Sequence, residues 1–549
     1  MIGDRTLLAE DGAAMVDAAV ARVRPLLPVQ PTNQAACEAL ATVQIASSQF
    51  SLPTNGAVVT SATFVQATDA GNANSEYCKV MGSIKPVDTA APDIKFQVNL
   101  PSNWNQKALQ FGGGGYDGNI PDTLHYTILG LRTGPTPLAL GYITYAGDSG
   151  HTAADTNDAS FAVNDEALNN FAYMHVKKTR DAMAALAQQR YGIAPRRVYW
   201  TGGSTGGREG LTAAMRFPES YDGIMSNYPT ANFMGLRLWG AVLAHAVYDN
   251  NSAGWITPTM VNKISSDTLA ACDTLDGIAD GLVSNMATCR AISPVYRAAI
   301  TCQNGETGYP PNCLTQAQLG TIGVYHEGYQ LAYALANNIS SYTGYNALEG
   351  ITMELGSQAA YTNPVIDNIN AHHVARADQF VKYFVTRDPN FNLLNFDAIH
   401  PGVWQDRIVS LSNTIDATNP DLSTFRAKGG KILLMQGLDD PSVSPYANER
   451  LYLSILATMG QAAANSFIRF YMVPGLAHGN GKYLINWDNL NILDNWVQNG
   501  VAPPATPISV DGNSGNRGRT RPVCAYPTWP KYIGPGSQDD AANYVCVSS

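Results

Sequence analysis

The sequence predicts an α/β fold in which a parallel sheet is interrupted by a long insertion. Apolar runs with the length of buried strands lie at 197–201, 223–229, 431–437 and 467–475, and alternating runs lie at 56–67 and 94–101. Helix-forming segments separate several of them, notably 164–191 and 447–460. From about residue 231 to 425 this alternation gives way to helices, turns and cysteine-bounded loops. We therefore expect a discontinuous core of residues 1–228 and 426–549, with a lid domain over 229–425.

The composition limits the partners that the chain can have. Of its 549 residues, 45% are hydrophobic and 14% charged, which is enough to bury a sizeable core. The net charge of -10 argues against nucleic acid, whose phosphates attract basic surfaces. The longest apolar stretches are far shorter than the ~20 residues of a membrane span, so we expect a soluble protein. Residues 1–27 predict an amphipathic helix and lack the pattern of a signal peptide.

The eight cysteines indicate an oxidising compartment. Proximity along the chain suggests the pairs Cys37 with Cys78, Cys272 with Cys289, Cys302 with Cys313, and Cys524 with Cys546. Proximity does not decide the pairing, because eight cysteines allow about 105 connectivities. No C-x-x-C occurs and the nine histidines are scattered, so zinc has little support. We expect four disulfides in a secreted or periplasmic protein; the alternative is eight buried thiols in a cytoplasmic enzyme.

A glycine-rich turn supplies the candidate nucleophile. Residues 202–206, Gly-Gly-Ser-Thr-Gly, match the G-x-S-x-G motif and lie between an apolar strand and a helix. Such a turn holds the serine in strained backbone geometry, and its flanking glycines avoid clashes. The pentapeptide alone is common, but this context favours Ser204 as the nucleophile of an α/β-hydrolase.

A serine hydroxyl needs a base to take its proton, and an acid must orient that base. The α/β-hydrolase order is serine, acid, histidine. Asp440 follows the strand at 431–437, and His478 follows the strand at 467–475. We predict Ser204, Asp440 and His478 as the catalytic triad. Asp439 is the rival acid; a turn-forming aspartate and a surface-loop histidine are the alternative interpretations.

The glycine run at 112–115 predicts part of an oxyanion hole. Ester cleavage requires backbone N–H donors already in place for the developing oxyanion. One donor is expected from Thr205, directly after the nucleophile, and the other from this run. The run can also be a flexible turn or a phosphate loop. It lacks the G-x-G-x-x-G register and the Walker lysine of phosphate loops.

An acidic loop within the insertion predicts a structural calcium site. Asp273, Asp276 and Asp280 follow at short intervals, and glycines after the second and third allow sharp bends. Together with the carbonyls of Ile278 and Leu282, they offer the all-oxygen shell that Ca²⁺ prefers. No glutamate closes the loop as in an EF-hand, and a run of solvated turn residues is the alternative.

In combination these segments resemble the tannase/feruloyl esterase family, which also contains hydrolases of terephthalate half-esters. The resemblance extends from about Cys37 to Cys546 and is carried by GGGGYDG, DSGH, GGSTGGREG, RFPESYDGI, CDTLDGIADG, GLDDP, VPGLAHG and RTRPVCAYP. It implies the triad above, Gly115 and Thr205 as oxyanion donors, and calcium at Asp273, Asp276, Ile278, Asp280 and Leu282. It also implies the four cysteine pairs and an exported enzyme acting on esters of aromatic acids.

The chain departs from this family beside the triad. Members usually carry a disulfide between the residue before the nucleophile and the residue after the histidine; here these are Gly203 and Gly479. We therefore expect a triad held by packing and hydrogen bonds, with a more mobile histidine loop. Gln436 stands where the family often has histidine. The Arg and Phe of half-ester hydrolases align with Ala371 and Ala375, which makes a terephthalate half-ester a poor first guess.

The sequence thus predicts a serine carboxylic ester hydrolase that acts on small aromatic esters through an acyl-enzyme on Ser204. Two alternatives stay open. One is a general carboxylesterase or lactonase acting on aliphatic esters. The other is a catalytically inactive, calcium-stabilised binding protein that kept the fold.

Overall fold

The computed structural model describes residues 33–153, 155–303, 313–516 and 518–548. The amphipathic helix expected at 1–27 lies outside these residues. The strands of the described chain are β1 (Gln44–Ile45), β2 (Ala57–Val65), β3 (Tyr77–Ile84), β4 (Ile94–Pro101), β5 (Lys107–Phe111), β6 (Ile143–Gly147), β7 (Arg197–Gly203), β8 (Gly223–Asn227), β9 (Gly328–Gln330), β10 (Ser341–Thr343), β11 (Lys431–Gly437), β12 (Ile468–Val473), β13 (Ile485–Asn486), β14 (Ile508–Asp511), β15 (Thr520–Pro522), β16 (Trp529–Tyr532) and β17 (Tyr544–Val547).

Helices flank these strands and fill the insertion. They are α1 (Asn33–Glu38), α2 (Asp165–Asn169), α3 (His175–Tyr191), α4 (Thr205–Arg216), α5 (Phe233–Ser252), α6 (Pro258–Cys272), α7 (Met286–Ala299), α8 (Gln316–Glu327), α9 (His372–Phe380), α10 (Gln405–Ile415), α11 (Ser423–Ala427), α12 (Pro445–Met459), α13 (Gln461–Asn465) and α14 (Asn489–Asn499). A π-helical turn, Asn170–Met174, joins α2 to α3, so the helical segment predicted at 164–191 is almost continuous.

A ten-stranded sheet in the order β1-β2-β3-β4-β6-β5-β7-β8-β11-β12 forms the centre of the fold. From β6 to β12 all neighbours are parallel, as the α/β pattern predicts. The four pairings from β1 to β6 are antiparallel, so the sheet is mixed. Short connections between consecutive strands permit only antiparallel pairing, whereas parallel neighbours need a crossover. The strands predicted at 94–101 and 431–437 coincide with β4 and β11.

The central strands are buried on both faces of the sheet. In β7, Trp200 packs with one hydrophobic cluster and its neighbour Tyr199 with another, as alternating side chains require. Parallel strands covered on both sides are apolar throughout, and β11 is buried at every position after Lys431. The carboxyl ends of β7, β11 and β12 therefore meet at one edge of the sheet, where ligands of open α/β folds bind.

The chain leaves the sheet between the end of β8 and the start of β11. This insertion contains α5 to α11 and the β9–β10 hairpin, and it supplies most of the residues of a hydrophobic core of its own around Trp239 and Phe380. Helices α5 and α9 approach closely at Gly240, where a Cβ would lie 2.4 Å from the His373 carbonyl oxygen. The insertion is thus closely packed beside the carboxyl ends of the strands.

Four disulfides join Cys37 to Cys78, Cys272 to Cys289, Cys302 to Cys313, and Cys524 to Cys546. These are the pairs predicted from the sequence. None of the described cysteines is free. Within the same described ranges, no helix is both long and apolar enough to cross a membrane.

Candidate active site

Ser204 occupies the sharp turn between β7 and α4. Its backbone angles, φ 59° and ψ -122°, are rarely adopted by residues other than glycine and mark stored strain. The turn is held from both sides: the Ser204 N–H donates to Asn227 O at 3.1 Å, and Ser204 O accepts from Thr230 N at 3.1 Å. The Ser204 hydroxyl makes no hydrogen bond to another described residue, so it stays available to a ligand.

His478 and Asp440 form a hydrogen-bonded pair beside this turn. His478 Nδ1 lies 2.9 Å from Asp440 Oδ2 and 3.1 Å from Oδ1. Asp440 is fully buried, and its Oδ1 also accepts the N–H groups of Ser442 and Val443 at 2.8 and 2.9 Å. Gln436, at the position where the resemblance leads one to expect histidine, donates to Asp440 Oδ2 at 3.2 Å. The carboxylate is therefore fixed in the orientation that receives the imidazole.

Asp439, the rival acid, faces away from the histidine. Its Oδ1 accepts the Gly475 N–H at 3.1 Å, and Lys482 Nζ lies 3.8 Å from its Oδ2. Burial raises the pKa of Asp439 to about 6, although Lys482 and the Gly475 amide lower it. Asp439 therefore contacts the loop after β12, not the His478 imidazole.

The glycine run lies against the start of α4. Gly112 and Gly206 approach so closely that a Cβ at Gly112 would lie 2.6 Å from the Gly206 Cα. Thr205 Oγ1 donates to Gly115 O at 2.6 Å, which places the two predicted oxyanion donors side by side. Thr205 is the first residue of α4, so its N–H has no partner within the helix. Gly115 adopts φ 64°, and a Cβ there would lie 2.4 Å from Thr156 O.

A buried charge cluster beneath the glycine run was not predicted from the sequence. Glu209 is fully buried; its Oε2 accepts the Gly113 N–H at 3.2 Å, and its Oε1 lies 3.3 Å from His175 Nε2. Burial acts against ionisation, yet His175 and Arg208 outweigh it and hold the pKa of Glu209 below its usual value. Burial and Glu209 raise the pKa of the neighbouring Asp117 well above its usual value. Glu209 thus holds the glycine run through the Gly113 N–H, within hydrogen-bonding range of His175.

Ser204, His478 and the glycine run line one cavity of about 370 Å³. The core supplies one wall, including Gly115 and Tyr228, and the insertion supplies Arg237, His372 and Arg376. Asp440 lies behind His478, outside the cavity lining. Ala371 and Ala375, by contrast, are fully buried and do not line the cavity.

Tyr228 fills the space beside Gly203 and Gly479, the two positions at which the resemblance leads one to expect a disulfide. A Cβ at Gly203 would lie 2.5 Å from the Tyr228 ring, and one at Gly479 would lie 2.8 Å from its hydroxyl oxygen. The same ring contacts the His478 imidazole, with centroids 4.7 Å apart. Tyr228 therefore wedges between the turn that carries Ser204 and the loop that carries His478. No sequence motif distinguishes this tyrosine from the other 26.

The acidic loop of the insertion is folded by its own carboxylates. Asp273 Oδ1 accepts the N–H groups of Asp280 and Gly281 at 3.1 and 3.0 Å, and Asp280 Oδ2 pairs with Arg521 at 2.6 Å. In the described parts of the chain, no three Asp, Glu, His or Cys side chains are grouped so that they could hold a metal ion. The oxygen donors fit Ca²⁺ in kind, and binding requires Asp273 and Asp280 to turn from these partners.

The comparisons with known proteins identify the family. Residues 78–547 match the family model described as tannase and feruloyl esterase. The chain belongs to this family. It is a carboxylic ester hydrolase with an α/β-hydrolase fold.

Individual relatives cover nearly the whole chain. An uncharacterized esterase of Agrobacterium fabrum is 55% identical over 520 residues, covering 94% of each protein. The mono(2-hydroxyethyl) terephthalate hydrolase of Piscinibacter sakaiensis is 28% identical, covering 94% of this chain and 92% of that protein. The crystal structure of feruloyl esterase B from Aspergillus oryzae has a TM-score of 0.74 at 24% identity, covering 94% of this chain and all of that one. This last likeness supports the fold.

The Tyr228 wedge predicts a coupling with Gly203. Gly203→Ala should lower the free energy of unfolding by about 1–3 kcal/mol, because the added methyl overpacks the tyrosine ring. In a Tyr228→Ala background the same change should cost close to nothing, whereas in Tyr228→Phe the ring remains and the cost should persist. Urea unfolding of the double-mutant cycle measures the coupling. Equal costs in all three backgrounds would contradict the wedge.

Proposed function

We propose that the protein hydrolyses esters of aromatic carboxylic acids through a covalent acyl-enzyme on Ser204. The observation that carries the proposal is the pairing of His478 with the buried Asp440, 2.9 Å apart, which fixes the imidazole in the wall of the cavity that the strained Ser204 also lines. This combination supports a serine hydrolase triad in the α/β-hydrolase order serine, acid, histidine.

The proposed reaction uses the two nitrogens of His478 differently. Nδ1–H donates to Asp440, which leaves Nε2 to accept the proton of the Ser204 hydroxyl as its oxygen attacks the ester carbonyl. The amides of Thr205 and Gly115 stabilise the oxyanion that forms, and the positive end of α4 adds to their effect. Collapse of this intermediate breaks the bond to the alcohol, which takes the proton from His478. Water then repeats the sequence and releases the acid.

Two observations support aromatic acyl groups: the membership of the tannase and feruloyl esterase family, and the size of the cavity. A space of about 370 Å³ lies in the range of small-molecule sites and accommodates a substituted ring beside Ser204. A general carboxylesterase with aliphatic substrates is the competing proposal, and the choice of substrates below separates the two.

Turnover of a small ester panel tests the proposal. Methyl gallate, methyl ferulate and a methyl benzoate represent aromatic acids, and methyl butyrate and a short p-nitrophenyl ester represent general esterase activity. We expect Ser204→Ala to abolish turnover and Asp440→Asn to lower kcat about 10³–10⁴-fold, because the asparagine favours the wrong imidazole tautomer. Steady-state kcat and KM for each ester are the measurements.

Asp439→Asn is the matched control for the acid. It changes the neighbouring carboxylate in the same way but leaves the His478 partner intact, so kcat should change less than about threefold. If the two aspartate variants lose equal activity, the assignment of Asp440 is wrong. If only the aliphatic and p-nitrophenyl esters are cleaved, the aromatic specificity is wrong.

We also propose that the acidic loop binds Ca²⁺ through Asp273, Asp276, Asp280 and the carbonyls of Ile278 and Leu282. Three carboxylates on a loop closed by the Cys272–Cys289 disulfide support this assignment, and Ca²⁺ would replace Arg521 as the partner of Asp280. The ion would supply structural rigidity to the insertion.

Calcium removal tests this assignment. At 100 times its dissociation constant, a ligand that binds only the folded state stabilises it by about 2.7 kcal/mol. We therefore expect Tm to rise with added Ca²⁺ and fall with EDTA in the wild type, and neither response in Asp276→Asn. Asp267→Asn, which removes the partner of Lys263 on α6 outside the loop, should keep both responses. An unchanged wild-type Tm in EDTA would contradict the proposal.

We further propose that the protein acts after export, outside the cell or in the periplasm. The four disulfides support this, because such bonds persist in oxidising compartments. Fractionation of the cells that make it, followed by detection of the disulfide-bonded chain, tests the assignment.

A further inference from the structure

An arginine with no counter-ion lines the cavity of Ser204. Arg237 lies on α5, is only 4% exposed, and forms part of the cavity wall contributed by the insertion. Its guanidinium rests on the rings of Phe233 and Tyr116, at 4.7 and 4.9 Å from their centroids. Its Nε is buried without a hydrogen-bond partner among the described residues.

The neighbours of Arg237 do not neutralise it. Burial lowers the pKa of Arg237; the strongest electrostatic influences come from Tyr116 and Arg376, and no carboxylate is among them. An arginine nevertheless stays protonated in proteins. The nearby Arg376 already has a partner, since its Nη1 bonds Asp367 at 2.8 Å. The part of the cavity wall at Arg237 therefore carries uncompensated positive charge.

A purely structural role explains Arg237 poorly, as a second buried arginine makes clear. Arg208 also stacks on Phe233 and Phe171, and it too is fully buried. It donates to the carbonyls of Ala172, Phe171 and Ile415 at 2.7, 3.1 and 3.3 Å, and Glu209 lies 4.0 Å away. Buried charges are normally satisfied in this way. Arg237 lacks every such partner in the described chain, and it lines a cavity that Arg208 does not reach.

We propose that Arg237, assisted by Arg376, binds a carboxylate of the substrate, and that the preferred esters carry one ionised acid group besides the ester bond. This rests on the proposed ester hydrolysis at Ser204 and defines its substrate class further. Guanidinium groups match carboxylates geometrically, and a water-poor wall strengthens the pairing. The alanines at 371 and 375 do not oppose the proposal, because this charge enters the cavity from α5.

Matched ester pairs test the preference. Methyl 4-carboxybenzoate carries the acid on the acyl side and 4-(benzoyloxy)benzoate on the alcohol side; methyl 4-carbamoylbenzoate and 4-(benzoyloxy)benzamide are their neutral counterparts of equal shape. For at least one pair, we expect the wild type to prefer the anion by about 10–100-fold in kcat/KM. The pair that responds identifies the side on which the carboxylate lies.

Three variants locate the preference. Arg237→Gln should remove most of it by raising KM for the anion, so that the two members of a pair are cleaved with kcat/KM values within about threefold of each other. Arg237→Lys keeps the positive charge and should retain part of the preference for the anion. This variant provides the test if Arg237→Gln folds poorly. Arg208→Lys is the control at the other buried arginine: any loss should affect both members of a pair equally.

Several outcomes would overturn the proposal. It fails if the wild type favours the neutral esters, if Arg237→Gln slows both members equally, or if the preference survives in that variant. Calorimetric titration of Ser204→Ala with benzoate and benzamide keeps the test independent of turnover. Binding of benzoate that is lost on adding Arg237→Gln supports the carboxylate site even if no ester is cleaved, whereas failure of ester cleavage alone would refute only the hydrolysis proposal. Equal binding of benzoate and benzamide would refute the carboxylate site.

Discussion

The close approach of two backbone segments is the constraint on which the site depends. A Cβ at Gly206 would lie 2.8 Å from the carbonyl carbon of Gly112, a distance that no residue larger than glycine tolerates. The contact brings the glycine run onto the first turn of α4, and Glu209 on the same helix fixes it through the Gly113 N–H. The Ser204 turn, the two expected oxyanion donors and the first turn of α4 are therefore packed as one unit.

The histidine joins this unit by packing rather than by a covalent link. Where the family usually has a disulfide, Tyr228 fills the space between Gly203 and Gly479 and contacts the His478 ring. Tyr228 itself has φ 35°, and its N–H donates to Met435 O at 2.6 Å on the neighbouring strand. The wedge is thus tied to the centre of the sheet. The greater mobility predicted for the histidine loop stays a prediction.

Much of the core could be predicted because its signals are local. The alternating run at 94–101 coincides with β4, the apolar run at 431–437 coincides with β11, and the Gly-Gly-Ser-Thr-Gly turn lies between β7 and α4 as its motif requires. The sequence predicted strands at 56–67 and 94–101 but not their antiparallel pairing. It did not predict β3 or the small strands β13 to β17. Short strands of two to four residues, such as β13 and β16, carry too little periodicity to be recognised.

Features that depend on long-range packing had no comparable signal. Asp439 and Asp440 are equivalent in sequence, and only the fold turns one toward His478 and the other toward Gly475. Asp117 and Glu209 lie far apart in the chain; burial and Glu209 raise the pKa of Asp117, whereas His175 and Arg208 outweigh burial and lower the pKa of Glu209. Nothing in the local sequence distinguishes Arg237 from other helix residues; only the packing of α5 places it in the cavity wall. In each case the role of the side chain depends on its neighbours in the folded protein, which the local sequence does not specify.

Trapping of the acyl-enzyme tests the central claim most directly. Rapid acid quench during turnover of an aromatic ester, followed by peptide mass spectrometry, should place the acyl mass on Ser204. Replacement of His478 by alanine should prevent the adduct from accumulating, because the hydroxyl then lacks its base. An acyl group on another residue, or ester turnover that continues in Ser204→Ala, would contradict the account.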